Sequence, residues 1–177
     1  KKYNSFAPLN EVLAAGLILL SGWRGKIDFL DPMCGCGTIL IEAGMIAGNI
    51  PPNLNRPSFA FEKWNDWDQE LFDIIEESVI KKINKINCNI SGYDISNVMI
   101  RKCKKNIEES DIDFKINVET RDFFKSKKYN KERLQIIVNP PYDKRIPTDF
   151  KSFYSEIGNT LKRNYDNTSS WIFTANM

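Results

Sequence analysis

Short apolar runs alternate along this chain with longer segments of helical periodicity. Apolar runs predict five strands, at 27–30, 90–93, 114–118, 134–138 and 171–174. Helical spacing predicts helices at 8–20, 38–47, 68–86, 97–108 and 150–163. Because strands that alternate with helices join as parallel neighbours, the pattern predicts an α/β fold with a doubly wound, mostly parallel sheet.

The length and residue types narrow the function classes. A chain of 177 residues is the size of one domain, and no apolar run approaches the ~20 residues of a membrane span. Histidine is absent, which excludes a histidine-dependent hydrolase and imidazole metal ligands. The four cysteines lack zinc-site spacing. We expect reduced thiols, no metal, no membrane contact and a cytoplasmic location.

Charge is distributed unevenly along the chain. Residues 1–80 hold 6 Lys and Arg against 11 Asp and Glu, a net charge of −5, and residues 81–177 hold 19 against 12, a net charge of +7. A basic half suits a polyanionic partner such as RNA. The most basic segment, 125–133, has five cations and one Glu, and its composition alone favours a solvated surface loop.

Four successive predicted strands are each followed by a polar side chain. These are Asp31, Asp94, Asp122 and Asn139. In open parallel sheets, ligands bind beyond the carboxyl ends of the strands. A half-buried carboxylate costs stability unless it is satisfied, so we expect a ligand with several donors across these ends.

The loop after the first strand contains two glycines, as expected where backbone approaches a ligand closely. It lacks the third glycine of the dinucleotide fingerprint and the lysine of a P-loop, which argues against a phosphate ligand. Asp31 can hold an ammonium group, Asp94 ribose hydroxyls and Asp122 an adenine amine, with Phe123 or Ile95 against the ring. The amides of the loop and of the next helix can hold a carboxylate. The pattern predicts S-adenosyl-L-methionine, with these loop residues in contact: Pro32, Met33, Cys34, Gly35, Gly37 and Thr38.

The fourth strand ends in Asn139-Pro140-Pro141-Tyr142. An exocyclic amine on a base is a poor nucleophile, because its lone pair is delocalised into the ring. The Asn139 side-chain oxygen and the Pro140 carbonyl can each accept one N–H of such an amine, and two prolines hold these acceptors rigidly. Tyr142 can stack on a base swung out of its helix. This element predicts direct methyl transfer without a covalent intermediate.

The run from Asp31 to Thr38, followed by Leu-Ile-Glu-Ala, resembles the first motif of the bacterial large-subunit rRNA guanine-N2 methyltransferases. The segment 7–11, the Phe-Glu-Lys-Trp at 61–64 and the Asn-Pro-Pro-Tyr element follow in that family's order. The resemblance implies a class I, Rossmann-like S-adenosyl-L-methionine-dependent fold and a guanine N2 target in 23S rRNA. The chain departs from the family at Asn10, Cys36 and Asp143.

The resemblance also implies a domain organisation. Residues 1–177 are expected to be a catalytic domain with an insertion at about 49–88, truncated after the fifth strand. An RNA-binding THUMP domain is expected upstream and closing strands downstream. The same fold with a different acceptor, a tRNA guanine, a DNA adenine or a protein glutamine amide, stays open, as does an inactive RNA-binding module.

Overall fold

The computed structural model describes residues 9–54, 56–110, 112, 114–141 and 150–174. It contains one five-stranded parallel sheet with the strand order β3-β2-β1-β4-β5. The strands are β1 (Asp28–Asp31), β2 (Ile90–Asp94), β3 (Ile116–Thr120), β4 (Leu134–Val138) and β5 (Thr168–Ile172). The strand order reverses on the two sides of β1, and such a switch point is where open parallel sheets bind ligands.

Within these residues, five α-helices accompany the sheet: α1 (Glu11–Leu20), α2 (Thr38–Gly48), α3 (Gln69–Ile80), α4 (Asn97–Glu109) and α5 (Phe150–Asn164). Short 3-10 helices lie at Ala60–Lys63 and Phe123–Lys125. Side chains cap three helices at their amino ends, because Asn10, Asp68 and Ser96 accept backbone N–H groups of α1, α3 and α4.

Helices cover both faces of the sheet, as the doubly wound prediction requires. Neighbouring residues of β1 point to opposite faces, so Phe29 joins one core cluster and Leu30 the other. The first cluster includes side chains of α1, α2 and α4. The second includes Phe153 and Ile157 of α5 and Phe123 of the 3-10 helix. These two apolar layers hold the strands in register.

Some predicted boundaries are wrong, and edge exposure explains most of the errors. The third and fifth strands were predicted at 114–118 and 171–174, but β3 and β5 begin at Ile116 and Thr168. Both are outermost strands of the sheet, where exposed polar residues interrupt the apolar runs that the prediction depends on. The helix predicted over 68–86 ends at Ile80, and α1 begins at Glu11.

The insertion after α2 carries its own aromatic cluster. The ring of Phe61 stacks on Phe59, with centroids 4.9 Å apart, and contacts Trp67 and Phe72. No side chain of α3 is buried. Helix α3 therefore lies outside both core layers, whereas Cys88, at the end of the insertion, packs against the first cluster.

The connection from β3 to β4 differs from the other crossovers that the structure describes. It contains a 3-10 turn at Phe123–Lys125 and then an irregular loop, with no α-helix. The sheet face beside this connection is therefore less covered than the face under α2 and α4.

The described residues contain neither a membrane-spanning helix nor a metal-binding cluster. None of their helices has both the length and the apolar character needed to cross a membrane. Within the same residues, no group of three or more His, Cys, Asp or Glu side chains is placed to hold a metal ion.

We predict that Gly92→Ala destabilises the protein and displaces the loop after β1. A Cβ at this position in β2 would lie 2.4 Å from Leu40 Cδ1 and 3.1 Å from Cys34 Cβ. Overpacking of this kind costs about 1–3 kcal/mol, measurable as a lower free energy of unfolding in urea. Gly16→Ala in α1 is the control, because its Cβ would meet nothing within 4 Å. Equal stability of Gly92→Ala and the wild type would contradict this packing.

Candidate active site

Four predicted ligand-contacting side chains lie along one edge of the sheet. Asp31 ends β1, Asp94 ends β2, Asp122 follows β3 and Asn139 follows β4. These strands are parallel neighbours, so their carboxyl ends meet at one edge, which we call the strand-tip edge. The structure thus brings together residues more than a hundred positions apart in the sequence.

The loop from Pro32 to Gly37 crosses this edge in a tight conformation. Gly35 and Gly37 have φ values of +53° and +92°, in the left-handed region where glycine is favoured. The Cys34 amide donates to the Tyr93 carbonyl at 2.8 Å, and the Gly37 amide donates to the Cys34 carbonyl at 2.8 Å. The loop is therefore fixed by its own backbone and by β2.

Helix α4 also fixes this loop. The Asn106 side-chain amide donates to the Cys36 carbonyl at 2.9 Å. A Cβ at Gly37 would lie 2.5 Å from Cys103 Sγ, so α4 packs directly against the glycine. Sequence reasoning missed both α4 residues, because residues that support a loop from a distant helix leave no local pattern.

The amino end of α2 has no side-chain cap among the described residues. Its N-cap is Gly37, and no side chain accepts its first amides, whereas α1, α3 and α4 have side-chain caps. Exposed amides and the positive end of the helix dipole favour an anionic group. The geometry suits the carboxylate predicted to lie beside Thr38.

Asp31 is a buried carboxyl with one backbone donor. It is 1% exposed, and its Oδ1 accepts from the Met33 amide at 3.1 Å. Burial, opposed by this hydrogen bond and reinforced by the nearby charge of Asp94, raises the pKa of Asp31 from 3.8 to about 8. A cation placed against it would favour the carboxylate form.

Asp94 joins the loops after β1 and β2. Its Oδ2 accepts from the Gly35 amide at 3.0 Å, and its Oδ1 accepts from the Ser96 amide at 2.8 Å. Each carboxylate oxygen can accept a further hydrogen bond. The position is compatible with the predicted ribose contact, and it also gives Asp94 a role in holding the Gly35 loop.

The predicted adenine contacts occupy different environments. Asp122 is half-buried and accepts from the Phe124 amide at 3.0 Å. Ile95 is 75% exposed, whereas Phe123 is 3% exposed and packs against Phe124 and Tyr165. Of the two side chains predicted to lie against the ring, Ile95 is the one with accessible surface.

The predicted acceptor element follows β4 directly. Asn139 and Pro141 are half-buried and Pro140 is buried. The Phe173 amide donates to the Val138 carbonyl at 2.9 Å, so β5 holds the end of β4 on which Asn139 depends. Tyr142 lies outside the described residues.

The fold is that of an α/β domain with a parallel sheet, and comparison with known proteins identifies its class. Residues 1–177 match the family described as UPF0020, RMKL-like, methyltransferase domain, and the chain belongs to this family. It is similar to the Ribosomal RNA large subunit methyltransferase K/L of Psychromonas ingrahamii, 38% identical over 88% of this chain and 22% of that protein. The Vibrio cholerae protein of the same name is 36% identical over 96% of this chain and 25% of its own length.

Solved structures agree with this assignment. The methyltransferase SMU.472, crystallised with SAH, has a TM-score of 0.84 and 33% identity over 97% of this chain and 45% of its own. A methylase from Clostridium difficile 630 has a TM-score of 0.81 and 37% identity over 96% of this chain and 45% of its own. The predicted family and Rossmann-like, class I methyltransferase fold are confirmed. The chain spans less than half the length of these relatives.

We predict that Asp31→Asn makes the ligand-free protein more stable than the wild type at alkaline pH. A carboxyl whose pKa is raised from 3.8 to about 8 by folding stabilises the folded state below about pH 4 and loses that contribution as pH rises through about 8. The advantage of the variant should therefore grow over this interval, by a few kcal/mol in all. Urea unfolding at several pH values measures it, and a difference that does not change with pH would contradict the raised pKa.

Proposed function

We propose that this domain transfers a methyl group from S-adenosyl-L-methionine to the exocyclic N2 amine of a guanine in large-subunit ribosomal RNA. The observation that carries the proposal is the strand-tip edge, where three carboxylates and the Asn139 element lie on adjacent strands. The relatives named above support the ribosomal substrate. Residues 1–177 then form the catalytic domain, with the insertion at about 49–88.

The residues of this edge fit the methyl donor group by group. Buried Asp31 suits an ammonium ion, and the uncapped amides of α2 suit a carboxylate. Asp94 suits ribose hydroxyls, and exposed Ile95 suits one face of the adenine ring. When bound, the cofactor supplies an electrophilic methyl group on its sulfonium. The neighbour SMU.472 was crystallised with SAH, the product form of this donor.

Asn139 and Pro140 act on the acceptor. An N2 amine that donates one hydrogen to the Asn139 oxygen and the other to the Pro140 carbonyl presents its lone pair away from both acceptors. Orientation of two reactants in this way can lower a barrier by about 7 kcal/mol or more. The buried ring of Pro140 and the β5 contact at Val138 restrict the motion of these acceptors.

The Asn139 element is compatible with more than one methyl acceptor. An adenine or glutamine amide also presents an NH2 group, so the Asn139 element alone does not choose among acceptors. The names of the relatives favour ribosomal RNA, guanine is our proposal from the sequence resemblance, and an RNA-targeting domain elsewhere in the polypeptide would choose the nucleotide. The four cysteines are free thiols, which supports a cytoplasmic protein.

We predict that SAH binding releases a proton near neutral pH. The ligand's ammonium group favours ionised Asp31, whose pKa is about 8 without ligand, so binding at about pH 6.5 removes the proton that Asp31 carries. Calorimetry in two buffers of different ionisation enthalpy counts the proton, and release should fall toward about pH 8.5. Asp31→Asn is the control and should bind weakly with no such release. Wild-type binding without proton release at about pH 6.5 would contradict the ammonium assignment.

We predict that Asn139→Ala in the full-length protein lowers the methylation rate at least a hundredfold, because loss of one acceptor misorients the reacting amine. The assay follows methyl incorporation into ribosomal RNA that lacks the mark, and nucleoside analysis of the wild-type product should give N2-methylguanosine. Asn84→Ala, at an exposed position in the insertion, is the matched control. Full activity of Asn139→Ala would refute its role, and a methylated adenine would replace the guanine assignment.

A further inference from the structure

The crossover from β3 to β4 contains a basic segment that the proposed chemistry leaves unused. Residues 125–133, which we call the basic crossover loop, begin at the last residue of the 3-10 helix beside the strand-tip edge and lead to Leu134, at the amino end of β4. The loop therefore runs along the flank of the sheet. Its cations are Lys125, Lys127, Lys128, Lys131 and Arg133.

Hydrogen bonds tie this loop to the turn between α5 and β5. The Lys128 amide donates to the Asn164 carbonyl at 3.0 Å, and the Asn164 side chain donates to the Ser126 carbonyl at 2.9 Å. Lys128 Nζ donates to the Asp166 carbonyl at 2.7 Å, and Asn167 donates to the Lys131 carbonyl at 3.0 Å. These four hydrogen bonds hold the backbone of the loop in one conformation, which distinguishes it from a loop that contacts only solvent.

The loop is also anchored in the core. Ser126 is 4% exposed and its hydroxyl is hydrogen-bonded to the buried Tyr165 hydroxyl. By contrast, Lys127, Lys131 and Arg133 are exposed. Among the described residues, no carboxylate forms an ion pair with these three side chains. The loop therefore presents available positive charges from a fixed backbone.

The loop also contains Tyr129, an aromatic residue close to these charges in the sequence, whose ring contacts Arg121. The Arg121 guanidinium lies between two tyrosine rings, 4.9 Å from the centroid of Tyr93 and 5.0 Å from that of Tyr129. Glu119 Oε1 accepts from Arg121 Nε at 3.1 Å and from the Tyr129 hydroxyl at 3.4 Å. Tyr93 is 4% exposed, but Tyr129 is 71% exposed. Tyr129 is thus an oriented ring with accessible surface.

A groove of about 740 Å³ lies against this ring. Its lining combines amide side chains such as Asn117 with the cations Lys104, Lys115 and Lys128, the carboxylates Asp28, Glu108 and Glu119, and apolar residues such as Ile107 and Val118. The groove runs from Asn89 and Lys115, near the amino ends of β2 and β3, to Tyr93 and Glu119, near their carboxyl ends. It lies where the helixless crossover leaves the sheet face partly uncovered.

We propose that the basic crossover loop and Tyr129 bind single-stranded RNA next to the target nucleotide. Cations on a fixed backbone suit successive phosphates, and an exposed ring suits an unstacked base. A duplex would offer phosphates but no base face to Tyr129, and an acidic protein would not need the ring. The inference rests on the proposed function for the identity of the RNA.

The test is binding of a single-stranded ribosomal RNA oligonucleotide to the full-length protein, by fluorescence anisotropy over a series of salt concentrations. The variant Lys127→Gln/Lys131→Gln/Arg133→Gln should lower the slope of log K against log salt by about 2, since each lost phosphate contact on a single strand contributes roughly 0.7. Lys82→Gln/Lys85→Gln, at exposed positions after α3, is the control for charge alone and should bind like the wild type.

A second pair of variants tests the ring. Tyr129→Ala should weaken RNA binding about fivefold to a hundredfold with an unchanged salt slope, and Tyr129→Phe should retain most of the affinity. In methylation assays, the triple variant and Tyr129→Ala should each raise KM for RNA and leave kcat unchanged. SAH affinity should match the wild type in all of them, because none of these residues lies at the strand-tip edge.

The outcomes separate this inference from the proposed function. Unchanged RNA affinity and salt slope in the triple variant would overturn the loop's role, even if the wild type methylates ribosomal RNA. Equal affinity for duplex RNA with no effect of Tyr129→Ala would overturn the single-stranded assignment. Loss of RNA affinity in the loop variants of a protein without methyltransferase activity would support the loop's role and refute the proposed function.

Discussion

The parallel pairing of β1 with both β2 and β4 is the constraint on which the site depends. This pairing brings the ends of three strands to one edge, where Asp31 and Asp94 approach closely enough for the charge of Asp94 to raise the pKa of Asp31. The edge would be unfavourable for two carboxylates without donors, because burial penalises their charged forms. Backbone amides of Met33, Gly35 and Ser96 supply part of this compensation, and a cationic ligand would supply more.

Much of the sheet was predictable because its central strands are mostly buried and rich in apolar residues. The boundaries of β4 match the prediction, since all five of its residues are buried. The predicted bounds of β3 and β5 were wrong because both strands are largely exposed and contain polar residues such as Glu119 and Ser169. Helix α3 was extended too far because the apolar residues Ile83 and Ile86 continue its spacing after the helix has ended.

The position of the candidate site was predictable where a strand ends in a polar residue, as at Asp31, Asp94 and Asn139. It was less predictable where tertiary packing decides availability. The sequence does not distinguish Phe123 from Ile95 as a surface for adenine, yet one is core and the other exposed. Support for the Gly37 loop from Asn106 and Cys103 depends on the approach of α4, and the Arg121 contact with two tyrosines depends on the path of the crossover.

The helixless crossover has a consequence for how such domains diversify. A crossover helix is bound to the sheet along its length by apolar contacts, so changes in its length disturb the core. The loop here is held at a few polar points, chiefly by Asn164, Asn167 and the Ser126 hydroxyl. Residues between these points can be inserted, deleted or exchanged without altering strand order. Changes of this kind leave the strand ends that carry Asp31, Asp94 and Asn139 in place.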